Sequence, residues 1–178
     1  MGFVYSYFFK TDYKIIMFGL DNAGKTSIIY YLKDKIGDNS QLPSNSRFDP
    51  IFNYKGLNIV EIDIGDCCRG KTRMLMHLVS KNAKGIIFVI DSSYIIGLED
   101  YFIEEFDYYI SQDDLKNLPI LILANKQDLD DALSPEKIIE KISIDKLKDK
   151  KWHIVGTSVK TKKGIEEGFD WMISILNQ

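Results

Sequence analysis

The stretch that most constrains this chain is Gly19-Leu20-Asp21-Asn22-Ala23-Gly24-Lys25-Thr26, which matches the phosphate-loop pattern G-x-x-x-x-G-K-[ST]. Its flanks have the form the chemistry needs. Tyr13–Phe18 is short, apolar and strand-like, while Ile28, Ile29, Leu32 and Ile36 recur at helical spacing, with Gly37 placed to cap the helix C-terminus. A strand thus delivers the loop and a helix begins where it ends, so that unsatisfied N–H groups and the positive end of the helix dipole face a polyphosphate. The glycines let the backbone from Leu20 to Gly24 wrap closely, and Ser27 extends the cradle into the helix. The Lys25 ammonium is expected at the β- and γ-phosphates and the Thr26 hydroxyl on Mg²⁺. The strand, loop and helix in this order predict a nucleotide-binding chain.

A length of 178 residues is enough for one compact core, and no linker, repeat or low-complexity segment divides it. A net charge of −3 argues against a nucleic-acid partner held by charge. The only cysteines, Cys67 and Cys68, are adjacent, which excludes a disulfide framework and a zinc spacing and points to a reducing compartment. Apolar runs such as Ile86–Ile90 are too short to span a bilayer.

The first residues are unusual. Phe3, Tyr5, Tyr7, Phe8 and Phe9 crowd the N-terminus, and Met1-Gly2 with Ser6 fits M-G-x-x-x-[ST], the pattern for myristoylation of Gly2. One acyl chain holds a membrane only marginally, and the aromatics offer the second contribution that stable anchoring needs. The stretch is short for a secretory signal and lacks its basic start. Residues 1–12 are therefore read as an acylated, aromatic N-terminal segment and 13–178 as the nucleotide-binding domain.

From about residue 37 to 50 the chain is polar and turn-rich, and it reads as a long loop beside the phosphate site. Phe52–Tyr54 and Leu57–Asp63, joined at Lys55-Gly56, predict a β-hairpin. Asp63 ends a strand beside the phosphate loop, the position of a carboxylate that holds Mg²⁺ directly or through water. A basic, Met-rich stretch runs from Arg69 to Leu78. Gly85–Asp91 and Pro119–Ala124 read as buried parallel strands, Ser134-Pro135 as a helix start, and Trp152–Val155 as the last strand. Leu98, Phe102, Phe106, Tyr109 and Ile110 share one helical face, and Glu99, Asp100, Glu104, Glu105 and Asp107 predict a solvated opposite face. The closing helix carries Ile165, Phe169, Met172, Ile173 and Leu176 on its apolar side. Alternating strands and helices predict an α/β fold with a doubly wound, mostly parallel six-stranded sheet and helices on both faces.

Asn125-Lys126-Gln127-Asp128 follows a core strand. The Asp128 carboxylate can accept from both N1–H and the 2-amino group of guanine, donors that adenine lacks, so a site built on it rejects adenine. Asn125 can bond the base and tie its loop to the phosphate loop, and the Lys126 stem can cover the ring. Ser158, Val159 and Lys160, after the last strand, would bring a backbone N–H near guanine O6.

With these motifs the chain resembles the small GTPases of the ADP-ribosylation-factor (Arf) and Arf-like family over essentially its whole length. The residues that carry the resemblance are Met1-Gly2 with Ser6, Gly19–Thr26, Asn125–Leu129, and Gly164–Trp171. The resemblance implies a P-loop small G-protein fold, GTP/GDP and Mg²⁺ as ligands, GTP hydrolysis, and a monomer served by an exchange factor, a GTPase-activating protein and effectors. It also implies two switch segments flanking the hairpin, which slides when GTP replaces GDP and expels the myristoylated N-terminus onto membrane. Vesicle traffic at the cytosolic face of endomembranes, the Golgi among them, is the expected setting.

The departures are as informative. The family's switch I reads Pro-Thr-x-Gly-Phe; here Pro43 is followed by Ser44-Asn45-Ser46-Arg47-Phe48, which makes Ser44 the expected metal ligand. Switch II reads Asp-Val-Gly-Gly-Gln in the family and Asp63-Ile64-Gly65-Asp66-Cys67 here. Gly65 is expected among the nucleotide-binding residues. Asp66 stands where a glycine N–H would meet the γ-phosphate, and Cys67 stands where the water-orienting Gln would be. Lys25, Asp66 and Cys67 are thus the positions that bear on catalysis, and the expectation is a weak GTPase. A nucleotide-locked interaction module, which holds GDP or GTP for stability and does not cycle, is the alternative these substitutions raise.

Overall fold

The computed structural model describes residues 12–42, 51–64, 69–93, 99–142 and 144–178. In chain order the elements are β1 (Tyr13–Gly19), α1 (Lys25–Lys35), β2 (Phe52–Tyr54), β3 (Leu57–Asp63), α2 (Arg69–Ser80), β4 (Ala83–Asp91), α3 (Glu99–Ser111), β5 (Ile120–Asn125), α4 (Pro135–Lys141), a 3₁₀ turn (Ile144–Leu147), β6 (Trp152–Gly156) and α5 (Ile165–Leu176). The strands form one six-stranded sheet in the order β2-β3-β1-β4-β5-β6. All neighbours pair in parallel except β2 with β3, which are antiparallel. The predicted α/β architecture is therefore present.

The apolar strands follow from the helices on both faces of the sheet. Ile15 to Phe18 of β1 and Ile120 to Ala124 of β5 are fully buried. On one face Phe18 stacks on Tyr109 of α3 with ring centroids 4.7 Å apart, and Phe88 meets Phe106 at 4.7 Å. Val79 of α2 and Ile138 of α4 belong to that same cluster. On the other face Ile28 and Leu32 of α1 join Phe169 and Met172 of α5 in a second cluster, where Phe169 meets Tyr54 edge-on at 5.6 Å.

The hairpin turns at Lys55 (φ 50°) and Gly56 (φ 90°). Two successive positive φ values suit the right-handed twist of flanking strands, which explains why a Lys-Gly pair closes so tight a turn. Ser134 caps α4 by accepting from the Lys137 N–H, with Pro135 in the first turn, as predicted. Gly37 takes φ 70° just beyond α1, consistent with its expected capping place. β4 begins at Ala83, two residues before the predicted Gly85, while β5 and β6 each run one residue further than expected.

One expectation is corrected. The acidic side of α3 is not uniformly solvated: Glu105 is 1% exposed. The basic stretch beginning at Arg69 forms α2, which lays the Arg73 guanidinium 2.6 Å from the Glu105 carboxylate and over the Tyr108 ring at 4.1 Å. Helical periodicity within α3 contains no information about that neighbour. Leu98, assigned to the apolar face of the same helix, lies outside the described residues.

At its first described residue the chain sits against the hairpin and the end of α5. The Asn53 amide donates to Asp12 at 3.4 Å, and the Tyr13 hydroxyl donates to Asn177 at 3.2 Å. The remainder of the 1–12 segment lies outside the described residues.

Candidate functional site

β1 ends in the centre of the sheet, and its register with β3 sets Gly19 opposite Asp63 and Met17 opposite Glu61. The loop that follows bends back on itself, with Asn22 at φ 63° and Gly24 at φ 99°. Gly24 is the N-cap of α1 and supplies no side-chain cap, and the first turn of α1 carries no acid. The leading N–H groups of α1, which have no partner within the helix, and the positive end of its dipole therefore meet a pocket. Asp21, Asn22, Gly24, Lys25, Thr26, Ser27, Glu61 and Asp63 line it. Leu20 and Ala23 lie beneath, packed into the two cores. This is the concavity that the sequence predicts for phosphate.

The Lys25 side chain is 3% exposed, so its ammonium needs oxygen partners around it. It donates to the carbonyls of Gly19 and Leu20, each at 2.9 Å, and pairs with the Asp63 carboxylate at 2.6 Å. Asp63 itself is largely exposed at the strand end. The Thr26 hydroxyl donates to Glu61 at 2.6 Å. Glu61 is a residue the sequence reading missed. The available signal was the period of two along β3, which puts residues 61 and 63 on one face. Burial pushes the Glu61 carboxyl above its ordinary value; the Thr26 hydroxyl and Lys25 oppose that shift and Asp63 adds to it.

The second half of the site is the loop after β5. Asn125 is 2% exposed and donates from Nδ2 to the Ala23 carbonyl at 2.9 Å, across 102 positions of sequence. Its Oδ1 accepts from the Thr157 hydroxyl at 3.3 Å. The expected tie between the base loop and the phosphate loop is thus present. The Gln127 N–H donates to the Thr157 carbonyl at 3.0 Å, which joins this loop to the one after β6.

Asp128 accepts from the Ser158 hydroxyl at 2.5 Å and lies 3.6 Å from the Lys160 ammonium. The Ser158 bond, with help from Lys160, holds the Asp128 carboxyl below the usual carboxylate range, so it remains an ionised acceptor near neutral pH. Val159 packs against the α1–α5 core. Lys126, at φ 67°, is anchored by its ammonium to Asp91 at 2.5 Å. Asp91 is a second residue that the sequence reading missed; it ends β4 as Asp63 ends β3, and pairs in register with Asn125.

The structure therefore brings Leu20 through Ser27, Asp63, Asn125, Lys126, Asp128, Ser158, Val159 and Lys160 to one edge of the sheet, at the C-terminal ends of the parallel strands. Ligands of doubly wound sheets lie at that edge. Gly2, Ser44, Gly65, Asp66 and Cys67 lie outside the described residues. The donors present fit a hard divalent cation: a Thr26 hydroxyl and carboxylates on β3, all oxygen. Among the described residues no group of three or more His, Cys, Asp or Glu converges on a metal position. One hydroxyl and one or two carboxylates, completed by phosphate oxygens and water, is how proteins bind Mg²⁺ with a nucleotide.

Comparison with known proteins agrees with this geometry. The model of the ADP-ribosylation factor family matches residues 3–176. ADP-ribosylation factors K and J of Dictyostelium discoideum are 36% and 35% identical to the chain over 169 residues, covering 94% of it and 87% of each relative. A solved structure of the Arl6 BBS3 small GTPase from Trypanosoma brucei with bound nucleotide analogue GppNp superposes with a TM-score of 0.76. It is 22% identical and covers 93% of this chain and 97% of its own, a likeness of fold.

Gly24 is the point at which the two halves meet. A Cβ there would lie 2.3 Å from Asn125 Nδ2, on a backbone at φ +99°. Gly37 offers a control, since it too has positive φ (+70°) but no atom within 4 Å of its would-be Cβ. Gly37→Ala is expected to cost about 1 kcal/mol of stability from backbone conformation alone. Gly24→Ala is expected to cost a further ~1–3 kcal/mol from the displaced Asn125 amide. Denaturant unfolding of the two variants measures the difference; equal losses would mean that the Gly24–Asn125 contact does not matter.

Proposed function

Because the chain belongs to the ADP-ribosylation factor family and is a small GTPase, a GTP-binding and GTP-hydrolysing switch protein, we propose that it switches at a membrane surface, favours GDP, and hydrolyses GTP slowly. The observation that carries the guanine-nucleotide assignment is the buried Asn125–Ala23 bond. It fixes a carboxylate suited to guanine, Asp128, at a set offset from a phosphate loop. In this reading the first-turn amides of α1 and the Lys25 ammonium cradle the phosphates, Asn125 and Asp128 read the base, and Val159 lies beside guanine O6. Lys25 exchanges the oxygens it now holds for phosphate oxygens. Thr26, Asp63 and Ser44 would hold Mg²⁺, which when bound neutralises charge on the β- and γ-phosphate oxygens.

The base assignment makes a direct prediction. Asp128→Asn removes the acceptor for two guanine donors, and the preference for GDP over ADP is expected to fall by about 2–4 kcal/mol, with xanthosine diphosphate gaining. Competition binding with the three diphosphates reads this out, and an unaltered wild-type order in the variant would refute the role of Asp128.

Slow hydrolysis and the bias to GDP rest on Asp66 and Cys67. Hydrolysis on this fold depends on orienting a water in line with the γ-phosphate and on fixed donors around the developing charge. A thiol at Cys67 is a poor substitute for an amide that both donates and accepts. By the family's switch II pattern Asp66 would set a negative charge against the γ-phosphate, a repulsion on the order of a few kcal/mol at an effective dielectric of about 20. GDP lacks the repelled group. Asp66→Gly is accordingly expected to tighten GTP relative to GDP, and Asp66→Gly with Cys67→Gln to raise the single-turnover rate. Dissociation constants and single-turnover rates for the three proteins test this; a wild type that binds GTP as tightly as GDP and hydrolyses it faster than the double variant would overturn it.

The membrane assignment rests on Met1-Gly2 with Ser6 and on the N-terminal aromatics. The chain is then a peripheral protein of cytosolic membrane faces, monomeric, with a role in vesicle traffic through an exchange factor, a GTPase-activating protein and effectors. Gly2→Ala is expected to leave nucleotide binding intact and to move the protein from the membrane to the soluble fraction of cells. A Gly2→Ala protein that still partitions to membrane, or an unmodified N-terminal mass in the wild type, would contradict it.

A further inference from the structure

A carboxylate on the partner strand already holds the hydroxyl expected at the metal. Thr26 Oγ1 donates to Glu61 Oε1 at 2.6 Å, a short charge-assisted bond. Glu61 lies in β3 two residues before Asp63, on the same face, and the β1–β3 register sets it opposite Met17. It lines the phosphate-loop pocket together with Lys25, Thr26 and Asp63. Three carboxylates, those of Asp21, Glu61 and Asp63, thus line a pocket to which the described residues contribute one ammonium, that of Lys25, and it is paired with Asp63.

We propose that Glu61 is a metal-positioning residue of the nucleotide site, which fixes the Thr26 hydroxyl for a divalent cation and couples nucleotide retention to that cation. The inference rests on the nucleotide reading given above. A hydroxyl has one proton and two lone pairs. With its proton committed to Glu61, the Thr26 oxygen presents lone pairs on the other side, which is what a hard cation needs. Carboxylates that orient metal ligands in this way typically change metal affinity 10–100-fold when removed.

The second consequence is a reversal of sign. The Glu61 charge attracts a divalent cation, so with metal bound it favours the ternary complex. Without metal the same charge faces phosphates across the pocket and opposes them. Glu61 therefore strengthens nucleotide binding in Mg²⁺ and weakens it in chelator. A residue that served only to pack β3 against α1 would shift both conditions in the same direction.

Glu61→Gln is the discriminating variant, since the amide oxygen can still accept from Thr26 while the charge is gone. Three quantities are read: Mn²⁺ affinity of the GDP-loaded protein by electron paramagnetic resonance, release of fluorescent GDP as Mg²⁺ is titrated, and release of the same probe in EDTA. Glu61→Gln is expected to weaken Mn²⁺ about tenfold, to raise by a similar factor the Mg²⁺ concentration needed for half-maximal GDP retention, and to slow GDP release in EDTA. Glu61→Asp keeps the charge on a shorter stem and is expected to release GDP in EDTA as fast as the wild type. Unchanged Mn²⁺ affinity in Glu61→Gln, or release rates that move the same way in Mg²⁺ and EDTA, would overturn the inference while leaving the nucleotide reading intact. A wild type that retains GDP in neither condition would overturn both.

Discussion

A lysine ammonium with almost no exposure to water has to be surrounded by oxygen, and that requirement organises the nucleotide edge of this molecule. Lys25 obtains two carbonyls from the end of β1 and its loop and one carboxylate from the end of β3. Each partner depends on a different part of the fold. The loop carbonyls require the chain to bend back sharply after Gly19. The carboxylate requires β3 to lie parallel beside β1 in a register that brings Asp63 level with Gly19. A buried cation held this way is costly to leave unpaired, and phosphate oxygens are the partners that can replace the ones it holds.

The same logic extends across the sheet. Asn125 carries no charge, but its amide is buried with one donor committed to Ala23 and its oxygen to Thr157. Three loops, following β1, β5 and β6, are thereby fixed to one another by hydrogen bonds shielded from water, where such bonds are stronger than at the surface. The sheet below supplies rigidity: β1, β4 and β5 are buried on both faces and cannot slide without moving two cores. The base-reading and phosphate-binding groups are in this way held at a constant separation.

Much of this was legible in the sequence, for a physical reason. The phosphate loop and the Asn125–Asp128 run are local chemistries, in which the residues that act together are adjacent in the chain. The strands and helices follow the periods of two and 3.6, so the sheet and its two layers could be anticipated. What escaped was contact between elements. Glu61 carries no signal of this contact within its own strand, because its partner, Thr26, is reached only through the β1–β3 register and the placement of α1. Asp91 escaped in the same way, since its partner Lys126 lies on a neighbouring strand's loop. Glu105 was assigned to solvent because α3 alone cannot reveal that Arg73 of α2 lies over it.

The central claim, that this edge of the sheet is a guanine-nucleotide site, is tested most directly by identifying what the protein carries. The protein is purified in Mg²⁺, denatured, and the released small molecules are separated and quantified against guanine and adenine standards. The account predicts close to one guanine nucleotide per chain, with GDP in excess over GTP. An adenine nucleotide in its place, or no nucleotide even after incubation with millimolar GDP and Mg²⁺, would contradict it.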